Sequence, residues 1–416
     1  MQNWWKKYKK RLILLLAVIG PGIITAVADN DAGGVATYTV AAATYGMASQ
    51  YFIIPTTILL ALTQGLGAKI SIVTGQGLGE LIRKKFGVRL SVVIFLFYFV
   101  VNQGVVLQNV SGLKSSFQLF NLPWQAALIF TSAFLSIVVI TLNFKKLQRI
   151  FLIMILFYFA YVFSAILAHP NWGEALQESL IFPRKINIWD VGYWFSLIAV
   201  LGTTVTAWGQ FFISSFIVDK GLTVENLKDE KVEIYAGAFL TNFFSWIIAL
   251  SVTYTLFVHS IRVEDGYAAA LAIRPFAGQF ASALFAGGLF GASLLGLTIV
   301  PLATSYAFSE LFGYERTLNA NFKTGRAFYI IFIIQLVFGV FVTLFPQINL
   351  FKLTLYADYL NGAMLPVIFY FLITFSESKE IMGEYATKGI GGWFIRLAAV
   401  VITLVVGATL LGKIFL

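Results

Sequence analysis

The chain alternates long apolar runs with short polar segments rich in lysine and arginine. Eleven runs can be read, at about 11–45, 50–73, 89–112, 124–143, 150–169, 190–219, 234–259, 279–306, 326–346, 350–374 and 390–415. Each reaches the roughly 20 residues a helix needs to cross a bilayer, and the first, sixth and eighth are long or interrupted. The pattern predicts an all-α polytopic membrane protein with about eleven transmembrane helices. Residues 1–416 form one domain, because the longest loops, around 170–190 and 306–326, are short enough to be caps over a helical bundle. The first run passes straight into more membrane sequence without a cleavage site, so it predicts a span rather than a signal peptide.

Two runs carry a feature that ordinary spans lack. The first contains IGPGIITAVADNDAGGVATYTVAAATYG, with glycines and acids where the bilayer centre should fall; the sixth contains FSLIAVLGTTVTAWGQFFISSFIVDKG, with Gly, Thr, Trp and Gln in mid-span. The two lie five spans apart in the order of runs. The pattern predicts two five-helix repeats of opposite orientation, about 11–169 and 190–374, each opening on a discontinuous helix, with an extra helix at about 390–415. Discontinuous helices in corresponding positions point to a substrate site near the midplane.

Composition narrows the class further. Hydrophobic residues make up 59% and charged residues 12%, against roughly 25% charge in soluble domains. A soluble globule of that balance would expose apolar patches it could not keep apart. With the N-terminus inside, the predicted cytoplasmic segments hold 20 Lys and Arg and the opposite side holds 7, in agreement with the positive-inside rule. The expected location is therefore the cell (inner) membrane, multi-pass, with a cytoplasmic N-terminus. The net charge of +10 is a topological signal. It is scattered over six short segments, which argues against nucleic-acid binding. The chain has no Cys, which excludes thiolate metal sites, and His169 and His259 fall at predicted outer helix ends, away from the midplane.

Asp29 and Asp31 are the most informative residues. A carboxylate at membrane depth is costly and usually lines a functional pathway. Two acids within three residues repel one another unless a cation lies between them or one is protonated. Gly22, Gly33 and Gly34 allow the helix to unwind, and hard cations take the resulting mixture of carboxylate and carbonyl oxygen. Asp31 could also serve as N-cap of the second half-helix. Thr204, Thr206, Trp208 and Gln210 are the facing candidates in the sixth span. Asp358 either faces the same cavity from the tenth span or pairs with Lys352 near its outer end. Asn102, Gln103, Gln108 and Asn361 suit interhelical hydrogen bonds.

GPGIITAVADNDAGGVATY resembles the opening helix of the natural-resistance-associated macrophage protein (NRAMP) family, with its GPG start and DPGN metal motif. AKISIVTGQGLGELIRKKFG in the second span and FAGGLFGASLLGLTIVPLATSYAFSELFG in the eighth continue the resemblance. It implies the LeuT-type fold, with a metal held between the unwound parts of the first and sixth helices. Asp31 falls on the motif's Asp and Gly33 on its Gly; its Pro becomes Ala32 and its metal-binding Asn becomes Gly34. The Met-Pro-His of the family's sixth helix reads here as Thr206, Ala207 and Trp208, and an acid of the third span that takes part in proton transfer reads as Gln108. The thioether ligand and both proton-linked groups are thus absent. Oxygen ligands suit Mg, Ca and Mn, whereas sulfur suits softer metals. The departures resemble the NRAMP-related magnesium transporter branch.

The implied function is a secondary transporter moving Mg²⁺ or Mn²⁺ by alternating access without proton coupling. Ligands would come from Asp29, Asp31, backbone carbonyls near Ala28 and Thr203, and Thr206, in a cavity lined by Asn30, Gly34, Ala207, Trp208, Gln210 and Asp358. The divalent cation is the substrate; no cofactor and no obligate protein partner are expected. The competing readings are a LeuT-type carrier of a small organic solute, with Trp208 as a wall and Asp31 meeting an amine, and a transport-inactive sensor or scaffold. An enzyme is not expected, since no nucleophile–base pair is placed for catalysis.

Overall fold

In the computed structural model, the residues described are 20–181, 187, 190–263, 266–345, 350–387 and 389–415. The basic N-terminal segment, residues 11–19 of the first run, Arg184, Lys185 and Lys388 lie outside them, as do the side chains of Lys352 and Lys413. Among the described residues there is no strand. The first run is two helices, α1 (Pro21–Ala28) and α2 (Ala32–Tyr45). It is followed by α3 (Ile53–Thr74), α4 (Leu78–Leu119), α5 (Trp124–Thr141), α6 (Phe144–Ile155), α7 (Phe159–Leu167) and a short connecting helix α8 (Trp172–Leu180). The second half opens on another broken pair, α9 (Val191–Thr204) and α10 (Ala207–Lys220). Then come α11 (Leu227–Thr253), α12 (Gly266–Phe312), α13 (Arg326–Thr343), α14 (Leu350–Glu377) and the C-terminal α15 (Ile390–Phe415).

Nine helical stretches of the described residues are long and apolar enough to cross a membrane unaided. With the broken first helix and the apolar Gly392–Ala408, they account for the eleven predicted spans. Phe130, Phe239, Phe280 and Leu404 stand 67–72% exposed on the perimeter, an apolar surface of the kind that faces lipid.

The two halves share their irregularities. Besides the breaks in the first helix of each, α4 bends at Gly87 (φ 81°) and α12 at Gly278 (φ 86°). Both bends need the left-handed φ that glycine alone adopts without strain. Each sits just before the third span of its repeat, and the two third spans pack against each other through the centre. Elsewhere glycine permits contact: at the α9–α14 crossing, a Cβ on Gly202 would fall 2.1 Å from the carbonyl of Asp358. This approach brings Asp358 beside the broken helices.

The N-terminal end of α1 is tied to α11. Pro21 opens α1, where a missing N–H costs nothing. Glu233 takes up the backbone N–H groups of Gly20 and Ile23 at 2.5 and 3.1 Å, satisfying donors that a helix start leaves open.

Candidate metal site

The first break spans Asp29, Asn30 and Asp31. Asp31 adopts extended backbone geometry and caps α2, its Oδ1 accepting the Gly34 N–H at 3.1 Å. Its Oδ2 accepts from Asn109 Nδ2 on α4 at 2.6 Å, and the Oδ1 of the same Asn109 accepts the Ala32 N–H at 3.0 Å. The second break follows the same logic: Thr206 is extended and caps α10, its Oγ1 accepting the Gly209 N–H at 2.9 Å. Asn361 on α14 accepts the Ala207 N–H at 2.8 Å. The half-helix starts α2 and α10 therefore meet side-chain oxygens that satisfy their open donors.

The two breaks join at Asp29. Thr206 Oγ1 donates to Asp29 Oδ1 at 2.6 Å, and Gln64 Nε2 on α3 donates to Asp29 Oδ2 at 3.3 Å. Asp29, Asp31, Thr203 and Thr206 are all at most 2% exposed, so this is a closed arrangement. Buried polar atoms usually find partners. Here Gln64 Oε1, both amide atoms of Gln210, and Asn361 Nδ2 have none among the described residues. Four buried polar atoms without partners thus lie on helices that pack at the breaks.

Other candidates fall in different places. The Ala28 carbonyl accepts the Asp31 N–H at 3.1 Å. The carbonyl that flanks Gly34 and Thr203 is that of Asp29: a Cβ at Gly34 would lie 2.9 Å from Asp29 O and 3.1 Å from Thr203 Oγ1. Asn30 turns away, its Nδ2 donating to Thr241 O and its Oδ1 accepting from Ser245, both on α11. Trp208 and Ala207 pack into the apolar core. Thr204 shares a hydrogen bond with Tyr38. Asp358 accepts from Thr37 Oγ1 and from Gln108 Nε2, the latter at 3.1 Å. No group of three or more His, Asp or Glu side chains able to hold a metal occurs among the described residues, so Asp358 does not form a three-acid cluster with Asp29 and Asp31.

Gln64 and Asn109 were not singled out from sequence. Each is a polar residue inside an apolar run, the pattern that also marked Gln108 and Asn361. Which of these touch the site depends on helix rotation, which the runs do not specify.

A family model described as natural resistance-associated macrophage protein-like, Nramp, matches residues 22–412. The chain belongs to the Nramp family. Among curated Nramp relatives, the divalent metal cation transporter MntH of Levilactobacillus brevis is 22% identical over 415 residues, covering 94% of this chain and 88% of that protein. The MntH of Latilactobacillus sakei is 24% identical over 205 residues, a match spanning 48% of this chain and 44% of that relative. Among solved structures, a manganese transporter of Eremococcus coleocola, in complex with an aromatic bis-isothiourea substituted compound, superposes with a TM-score of 0.73 at 17% identity, covering 98% of this chain and 87% of that one. MhsT in complex with L-phenylalanine gives a TM-score of 0.61 at 16% identity, covering 94% and 97%. The Nramp chain thus has the LeuT-type fold, and its curated relatives are transporters rather than enzymes.

Proposed function

We propose that this Nramp chain carries a hard divalent cation, Mg²⁺ or Mn²⁺, across the cell membrane by alternating access, without moving protons in exchange. The observation that carries the reading is the Asp29–Thr206 hydrogen bond. It puts a carboxylate and a hydroxyl at the junction of two helix breaks, where the Nramp pattern has a thioether on the second. The donors gathered there are all oxygen or amide: Asp29, Asp31, Thr206, the Asp29 carbonyl and the Gln64 amide. Such a set suits hard ions, and Mg²⁺ keeps waters on the positions that protein does not fill.

In the closed arrangement the Asp29 carboxylate is spent on Thr206 and Gln64. Binding a cation exchanges those two contacts for metal–oxygen bonds, and the site is freed again when the half-helices separate. A potential of 100 mV contributes roughly 4–5 kcal/mol to inward movement of each divalent ion. The relatives' names support a divalent cargo. The absence of proton exchange is supported by Trp208 and Gln108, which replace the titrating groups of the family pattern. Uptake of Mg²⁺ and Mn²⁺ into proteoliposomes holding the purified chain tests the reading. Calorimetry on the same protein separates it from an organic-solute carrier, which would bind neither ion.

A further inference from the structure

Away from the helix breaks, α3 and α11 part to form a crevice of about 340 Å³. Its polar mouth carries Lys69, Lys228 and Lys231, with Glu230 as the acid on the wall. Lys69 reaches Thr387 at 3.1 Å, and Lys231 lies over the Tyr235 ring at 5.6 Å. Below the mouth the crevice becomes an apolar trough. Ala61, Gly65, Ala68 and Ile72 follow one another on one face of α3 and form its floor. A Cβ at Gly65 would meet nothing within 4 Å. The flank of α11 beside it is perimeter surface, Val232 and Phe239 being 65% and 67% exposed.

We infer that this crevice holds one anionic phospholipid, its phosphate among the three lysines and an acyl chain along the Gly65 trough. Basic pockets between membrane helices capture such headgroups, and lysine stems cover apolar surface while their charges stay at the interface. A free phosphate would use the lysines and leave the trough bare. Phosphatidylglycerol supplies both parts: one anionic phosphate for the lysines and an acyl chain for the trough. The inference is independent of what the protein carries.

Native mass spectrometry of the full chain, exchanged into equal amounts of phosphatidylglycerol and phosphatidylcholine, tests it. The parent is expected to retain one phosphatidylglycerol selectively. The combined change Lys69→Gln, Lys228→Gln and Lys231→Gln is expected to remove that preference, at about fivefold per lysine. Gly65→Leu leaves the lysines in place and fills the trough, so it too is expected to expel the lipid; it also serves if the triple variant does not fold. Equal retention of the two lipids by the parent, or a Gly65→Leu variant that keeps its phosphatidylglycerol, would overturn the inference. Displacement of the lipid by millimolar inorganic phosphate would equally overturn it, by showing a phosphate site alone.

Discussion

Thr206 donates to Asp29 at 2.6 Å, joining two helix breaks that lie 177 residues apart in the chain. The same hydroxyl oxygen accepts the Gly209 N–H and so caps α10. One side chain therefore starts a helix and fixes a carboxylate. Substitutions here should act on both stability and ion choice.

Thr206→Met separates the two effects. A thioether cannot cap, so the variant should lose about 1 kcal/mol of stability. Sulfur prefers softer ions, so Mn²⁺ and Cd²⁺ should gain on Mg²⁺ in competition uptake. Thr206→Ser keeps the hydroxyl and should keep the parent's rank order. An unchanged order in Thr206→Met would show that residue 206 does not face the ion.

Asp31→Ala should abolish cation binding by calorimetry while the protein stays monodisperse. Asn109 orients that carboxylate through a 2.6 Å hydrogen bond and receives the Ala32 N–H on its other atom. Loss of a group that holds a ligand in place typically costs about 10–100-fold in metal affinity. Asn109→Ala should fall in that range, between the parent and Asp31→Ala. Affinity equal to the parent's would place the ion elsewhere.

The breaks were legible because the first sets glycines and acids, and the second Gly, Thr, Trp and Gln, in the middle of otherwise apolar runs. The fold followed, since two such runs five spans apart imply a repeat. The partners of the acids were not legible. Gln64, Asn109 and Asn361 lie on three different helices, and only packing decides that they face Asp29, Asp31 and Ala207. Asn30 shows the converse. Its place between two acids suggested the cavity, but its side chain is committed to Thr241 and Ser245.

Gly34 stands where the Nramp motif has a metal-binding Asn. Restoring it should do harm. A Cβ at this position would lie 2.9 Å from the Asp29 carbonyl and 3.1 Å from Thr203 Oγ1. The hydroxyl can rotate, but the carbonyl belongs to the break and cannot yield without moving Asp29. Gly34→Asn should therefore lower both the melting temperature and Mg²⁺ uptake, and adding Thr203→Ala should recover only part of each. Full activity in the single variant would mean that the break relaxes freely.

The positions that carry protons in the Nramp pattern are here Trp208 and Gln108. Trp208 does not titrate and is 1% exposed within the apolar core, and Gln108 spends its amide on Asp358 at 3.1 Å. Cation influx into proteoliposomes containing a pH dye, under a potential set by potassium and valinomycin, should therefore proceed with no pH signal. Gln108→Glu should change this. It sets a second carboxylate against Asp358, and the two can keep their contact only by holding a proton between them. Transport by this variant should become pH-dependent, and cation influx should acidify the lumen. Stoichiometric acidification by the parent would overturn the uncoupled mechanism. If Asp29→Asn then removed the acidification and kept the influx, Asp29 would be the group that carries the proton.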